Sequence, residues 1–244
     1  MIYRAIKGQA GYGEAIGILL LDTYTPFIPG DVGNATTYPF PVRFQKVPGF
    51  TVERAIQRDP TAFESLLAAA RELESQGVRA ITGDCGYMVI HQRKLKKHLG
   101  IPVFLSSLLQ VPFITSILAD NKKIAVMCAD SRQLNPAVIE QFIGRSGGNN
   151  LIVKGMQDRR SFNEAILEEV GLLDAGKIEQ EMVAEAEQMV AEQPDIGAFL
   201  LECSCLPPYG AAIREAVRLP VFDYITMINY VYTAVVKQRF QGFM

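Results

Sequence analysis

Two cysteines stand at matching places in this chain, and their chemistry is the natural starting point. Cys85 closes the run Ala80-Ile81-Thr82-Gly83-Asp84-Cys85, and Cys203 closes Phe199-Leu200-Leu201-Glu202-Cys203. Each is followed seventeen residues later by Pro-Val-Phe, at Pro102 and at Pro220. Two thiols on opposite faces of a carbon can move a proton symmetrically, one as thiolate taking it and the other as thiol returning one. A free thiol ionises near ~8.5 and needs help to become a thiolate, which a helix N-terminus supplies. A helix is expected to begin near Tyr87, just after Cys85, and another at Pro207-Pro208, where proline suits a first turn. The free backbone amides there, at Gly86 and Ser204, can bind a substrate carboxylate and stabilise enediolate charge, with the Ser204 hydroxyl adding a bond.

The other reactive side chains carry weaker signals. Cys128, inside the apolar run Ile124–Ala129, reads as a buried hydrophobe. Cys205 is open: Cys-Ser-Cys can bind a metal with Cys85 and His91, but no second ligand pair stands at zinc spacing. His91 and His98 lie on a Lys/Arg-rich helix and read as part of a solvated face. Arg43 can pair with a second substrate carboxylate. It follows a long loop rich in proline and aromatics, including Thr25-Pro26-Phe27 and Tyr38-Pro39-Phe40-Pro41, and such loops often serve a pocket.

What must position these groups is an alternation of short apolar runs and longer amphipathic ones. Strands are predicted over 15–21, 78–82, 102–105, 123–129, 150–153, 196–201 and 221–223. Helices are predicted over 61–76, 87–99, 136–143, 178–193, 208–217 and 227–239. Alternation of this kind means parallel sheets covered on both faces. Each half opens with a strand ending in an acid and a hydroxyl, Asp22-Thr23 and Asp130-Ser131, and each then carries a helix, a strand and its cysteine. The order implies an internal duplication: α/β architecture with two similar Rossmann-like lobes, related by a pseudo-twofold, with the site between them. The first lobe is expected over 1–115 with the C-terminal segment 226–244, the second over 116–225. In open parallel sheets ligands bind beyond the strands' carboxyl ends, where both cysteines fall.

Composition narrows the function classes. The chain has 244 residues, 49% hydrophobic and 20% charged, enough for a substantial core. A net charge of −2 and the lack of a basic run argue against nucleic acid. The early apolar stretch 15–21 is too short to span a membrane and ends in Asp22, so the expectation is a cytoplasmic protein with reduced cysteines and no membrane partner.

The chain resembles the aspartate/glutamate racemase superfamily, which also holds hydantoin racemases, maleate isomerases and arylmalonate decarboxylases. The resemblance covers nearly the whole chain. It rests on Asp22-Thr23, Thr82-Gly83-Asp84-Cys85-Gly86-Tyr87, Ser106-Ser107-Leu108-Leu109-Gln110-Val111-Pro112 and Leu201-Glu202-Cys203-Ser204-Cys205-Leu206-Pro207-Pro208-Tyr209. It implies two lobes, an interlobe site, and neither pyridoxal phosphate nor metal, so no cofactor is expected. It puts Cys85 and Cys203 at the paired catalytic positions and Asp22 where an acid tunes the first thiol. It adds Gly86, Tyr87, Ser204, Ser106 and Ser107 to the substrate-binding set. The chain departs from many relatives in carrying Gly86-Tyr87 where Asn-Thr is common, Ser204 where Thr is common, and Asp84 beside the first thiol.

The expected function is therefore a cofactor-independent racemase or epimerase for an amino acid, dicarboxylate or hydantoin-like substrate, with Cys85 and Cys203 as acid and base. Its partner is a small carboxylate, and a homo-oligomer is left open. Two rivals stand beside it: a maleate-type isomerase working through a covalent cysteine adduct, and a dicarboxylate-binding protein of the same fold without turnover.

Overall fold

The computed structural model describes residues 2–5, 7–144 and 150–244. The first half runs β1 (Ile16–Leu20), β2 (Val42–Lys46), α1 (Val52–Ile56), α2 (Phe63–Ser75), β3 (Ala80–Gly83), α3 (Val89–Leu95), β4 (Val103–Phe104) and α4 (Val111–Ile117). The second runs β5 (Lys123–Cys128), α5 (Pro136–Ile143), β6 (Leu151–Gly155), α6 (Arg160–Phe162), α7 (Ala175–Glu192), β7 (Ile196–Leu201), α8 (Gly210–Val217), β8 (Val221–Phe222) and α9 (Tyr224–Val235). Two four-stranded parallel sheets form, in the orders β2-β1-β3-β4 and β6-β5-β7-β8. The identical order makes the two lobes similar, as the sequence duplication requires.

The buried central strands are apolar along nearly their whole length, which makes their position legible. β1 and β5 are Ile-Gly-Ile-Leu-Leu and Lys-Ile-Ala-Val-Met-Cys, and Cys128 is fully buried as expected. β2 lies outside the predicted strands and falls partly inside the expected loop. It is a half-buried edge strand, and its polar Arg43, Gln45 and Lys46 give no hydrophobic run to detect. A π-helical turn over Asn163–Leu167, which continues α6, also lies outside the predicted elements.

Each lobe's last helix crosses to the other lobe. α4 packs on β5, and α9 packs on β3. Tyr224, Met227 and Ile228 of α9 join Ile16, Ile18, Ala80 and Phe104 in one buried cluster. Asp223 starts α9 three residues earlier than periodicity suggests, because its carboxylate accepts from the Thr226 amide at 2.7 Å. The crossing is pinned by polar bonds: Tyr224 Oη donates to the Leu105 carbonyl at 2.8 Å, and Gln110 Nε2 donates to the Asp223 carbonyl at 2.9 Å.

The Tyr224 bond is buried, so Tyr224→Phe removes the hydroxyl partner of the Leu105 carbonyl. The expected cost is about 1–3 kcal/mol. It would be read as a lower urea midpoint with an unchanged slope, and no shift would mean that the bond does not hold the crossing.

Candidate active site

At the carboxyl ends of β1, β3, β5 and β7 the two lobes enclose a small cleft of about 40 Å³, partly open to solvent. The first lobe contributes Leu21, Thr23, Thr25, Phe27, Val52, Ile56, Asp84, Cys85, Gly86 and Tyr87; the second contributes Ala129, Ile166, Leu167, Glu202, Cys203, Ser204 and Cys205. Both cysteines thus share one cleft, close enough for Cys85 to feel the charge of Cys203.

Cys85 is extended (φ −150°, ψ 124°) and precedes a tight turn, Gly86–Met88, that runs into α3. The Tyr87 amide donates to its sulfur, the one influence that favours thiolate there. Burial acts first in the other direction, followed by the charges of Glu202, Asp84 and Cys203, so the Cys85 thiol holds its proton well above the usual range. Cys203 sits at the end of β7 in a different setting. A hydrogen bond between the Cys205 thiol and Cys203, together with burial, holds the proton on Cys205. Asp31, buried in the long loop, lies on the far side of Cys205. Burial pushes its carboxyl up to about 7, while the Gly33 amide at 2.9 Å opposes the shift.

A carboxyl precedes each cysteine. Asp84 accepts the Leu21 amide on both oxygens at 3.1 Å, and burial pushes it up to about 8. Glu202 is fully buried, and burial likewise pushes it up to about 8. The Ala129 amide, which matches Leu21 by strand position, favours its charge, yet neither oxygen closes a hydrogen bond. Gly86 is glycine because any Cβ there would run into the Glu202 carboxyl. Both acids are plain in the sequence, but Glu202 reads there equally well as the end of a strand.

Several expected site residues take other roles. Asp22 does not line the cleft. Side chains alternate past the end of β1, so Leu21 and Thr23 face inward while Asp22 turns out to Lys46 (3.1 Å) and the Gly49 amide (3.2 Å). Arg43 lies on β2, tied to Glu14 (2.7 Å) and Gln76 (3.2 Å), and reaches no substrate. Ser106 caps the turn at Ser107–Gln110 through the Leu108 amide. Ser107 donates across the lobes to the Leu201 carbonyl at 3.0 Å. Both serines hold the frame and do not line the cleft. Tyr87 and Ser204 do line it, but their hydroxyls are committed. Tyr87 Oη donates to the Asp130 carbonyl at 2.6 Å and accepts the Asp130 amide at 3.0 Å. Ser204 Oγ donates to the Asp84 carbonyl. His91 is buried, contrary to a solvated face. It packs between Phe50 and Phe63, away from the cleft, and burial lowers it to about 4. His98 is exposed, as expected.

Ile166 and Leu167 line the cleft without any sequence signal that marks them, and Thr23 and Glu202 stand in the segments quoted above with no role assigned to them there. The long loop does reach the cleft, with Thr25 and Phe27. It is latched to the other lobe where Thr23 Oγ1 and the Tyr24 amide donate to Glu169, the amide at 2.7 Å.

The two raised carboxyls set a pH dependence. Unfolded, Asp84 and Glu202 ionise at 3.8 and 4.5; folded, they keep their protons to about 8. The native state then binds more protons than the unfolded chain, so stability is full below pH ~4 for these groups and is lost as pH rises through ~8. Each contributes a slope of roughly 1 kcal/mol per pH unit between those limits. Thermal midpoints measured from pH 5 to 8 should fall, and Glu202→Gln should flatten the fall by about one proton. An unchanged slope in that variant would show that Glu202 is ionised in the fold.

Among the described residues, no helix is long and apolar enough to cross a membrane, and no group of three or more His, Cys, Asp or Glu is placed to hold a metal. No protein-family model matches the chain. By fold it resembles an allantoin racemase from Klebsiella pneumoniae, with a TM-score of 0.64, 14% identity and 92% and 91% of the two chains covered. It also resembles an aspartate racemase homologue from Pyrococcus horikoshii, with a TM-score of 0.56, 17% identity and 91% and 99% covered. At such identities the likeness concerns the fold alone. Sequence points to a different branch. A dimethylsulfoniopropionate lyase from Durusdinium sp. clade D is 31% identical over 224 residues, covering 88% of this chain and 73% of that protein. Dimethylsulfoniopropionate lyase 5 of Emiliania huxleyi is 31% identical over 229 residues, and there the chain spans 45% of the longer relative. The chain belongs to the dimethylsulfoniopropionate lyase family.

Proposed function

We propose that the chain is a lyase that cleaves dimethylsulfoniopropionate by β-elimination rather than a racemase of aspartate or glutamate. The observation that carries this reading is the charge of the cleft. It holds two thiols, two buried carboxyls and an apolar wall of Phe27, Val52, Ile56, Ile166 and Leu167, with no Lys, Arg or His among the described lining residues. A dicarboxylate would bring a second negative charge to a cleft that already holds two carboxyls and two thiols, and Arg43, the residue expected to meet that charge, is held by Glu14. A methylated sulfonium is a diffuse cation with apolar methyl groups, and it suits an acidic, aromatic and aliphatic wall. The names of the sequence relatives support the same substrate.

The step begins with a thiolate taking a proton from the carbon next to the carboxylate. The C–H electron pair forms the double bond, the carbon–sulfur bond breaks, and dimethyl sulfide leaves with the electron pair of that bond. The products are acrylate, dimethyl sulfide and a thiol, which returns its proton to solvent. Cys203 is the base in this reading, because burial and two neighbouring carboxyls hold the proton on the other thiol, Cys85. Cys85, half-buried beside two carboxyls, keeps its proton and stands as the acid of the pair. Elimination needs one base only, so the two thiols are not equivalent.

The pairing of the thiols across one cleft favours a second reading, two-base racemisation of a monocarboxylate, in which they are equivalent. The two separate cleanly. Purified protein given dimethylsulfoniopropionate should release dimethyl sulfide into the headspace and acrylate into solution. Cys203→Ala should lower kcat by about 10²–10⁴, and Cys85→Ala by less. No dimethyl sulfide from the wild type, with solvent deuterium entering the α-position of an amino acid instead, would replace the lyase by the racemase.

A further inference from the structure

Glu202 stands apart from its counterpart. Asp84 is occupied on both oxygens by the Leu21 amide, and its backbone carbonyl by Ser204. The Glu202 carboxyl is 0% exposed, lines the cleft, and has no hydrogen-bond partner on either oxygen. A buried carboxyl in that state costs free energy with no local return. The surrounding chain nonetheless keeps a place for it, since Gly86 carries no side chain where the carboxyl lies. The placement also has a direction. The carboxyl rests against Gly86, on the Cys85 side, and is the charge that Cys85 feels most. Cys203 and Cys205 line the same cleft from the second lobe.

We propose that Glu202 is the onium subsite of this cleft: its carboxylate pairs with the substrate's cationic sulfonium and so selects β-onium carboxylates over neutral carboxylates of the same shape. The proposal rests on the lyase reading for the identity of the cation. Before binding, the carboxyl is neutral. On binding it gives its proton to solvent and forms the ion pair, so charge is conserved at the site. Asp84, already bonded, cannot do the same, so the duplicated acids divide into one structural and one that selects.

The test is a ratio of affinities for two unreactive ligands of equal shape, N,N-dimethyl-β-alanine in its ammonium form and isocaproate. Calorimetry on the wild-type protein should show the ammonium ligand binding at least ~10-fold more tightly. Glu202→Gln and Glu202→Met should both reduce the ratio to below ~3-fold, chiefly by weakening the ammonium ligand. Because the carboxyl has no partners to lose, both variants should fold with thermal midpoints at or above that of the wild type at pH 7. A wild-type ratio near one, a ratio that survives in the variants, an equal loss of both ligands, or variants that no longer fold would each overturn the assignment. The lyase reading fails separately: if the ratio behaves as expected but the wild type releases no dimethyl sulfide, the subsite stands and the reaction does not.

Discussion

Asp84, Glu202, Cys85 and Cys203 are crowded into one poorly solvated cleft, and the cost of charging any one of them in the presence of the others governs the rest of the structure. Like charges at short range in a low dielectric repel strongly. The site therefore stores protons and can carry little negative charge at once. One consequence is chemical: a thiolate can exist on one cysteine only while its neighbours stay neutral or are paired with a cation. Another is architectural. The cleft walls must be held rigidly enough to keep water from relieving the repulsion, and the bonds that do this cross between lobes. Ser204 reaches Asp84, Tyr87 reaches Asp130, and Ser107 reaches Leu201. Residues that look like substrate ligands by type are spent on closing the cleft.

The sequence carries the frame better than the site. Seven of the strands and the duplicated order are readable by pattern because each is a short apolar run, at sheet edges as well as at centres. β2 escapes because Arg43, Gln45 and Lys46 interrupt any such run. The two cysteines are legible because their types are chemically distinctive and their spacing repeats. The roles of Asp22, Arg43, Ser106 and Ser107 are not. Whether a polar side chain at a strand end points into a cleft or away from it depends on a single residue of phase. Whether a hydroxyl is free depends on a carbonyl from the opposite lobe, more than 90 residues away in the case of Ser107 and Leu201. His91 departs from expectation for a related reason: its basic neighbours face solvent, but its own position on α3 turns it between two phenylalanines.

The resemblance to racemases and the membership in a lyase family are compatible at the level of the first step. Both reactions begin by loosening a proton beside a carboxylate. The fate of the electron pair then depends on the substituent at the next carbon. A good leaving group there diverts the pair to a double bond, and without one the carbanion can only be reprotonated. A fold that supplies a thiol base and a charge-tolerant wall can therefore serve either outcome, with the substrate deciding. The cleft has no cationic side chain among its described lining residues, and in the proposed reading that favours the sulfonium substrate.

The exchange of α4 and α9 between the lobes bears on how such a chain could have arisen. A half-length ancestor with this topology would leave one face of its sheet bare, because the helix that covers it belongs to the other half. It would have been stable only as a pair of chains, each lending its terminal helix to the other, with identical cysteines facing across the join. Fusing two such copies removes the requirement that the halves be alike. Asp84 with its bonded oxygens and Glu202 with its bare ones carry the mark of that release: one ancestral acid, freed from symmetry, settled into two different occupations.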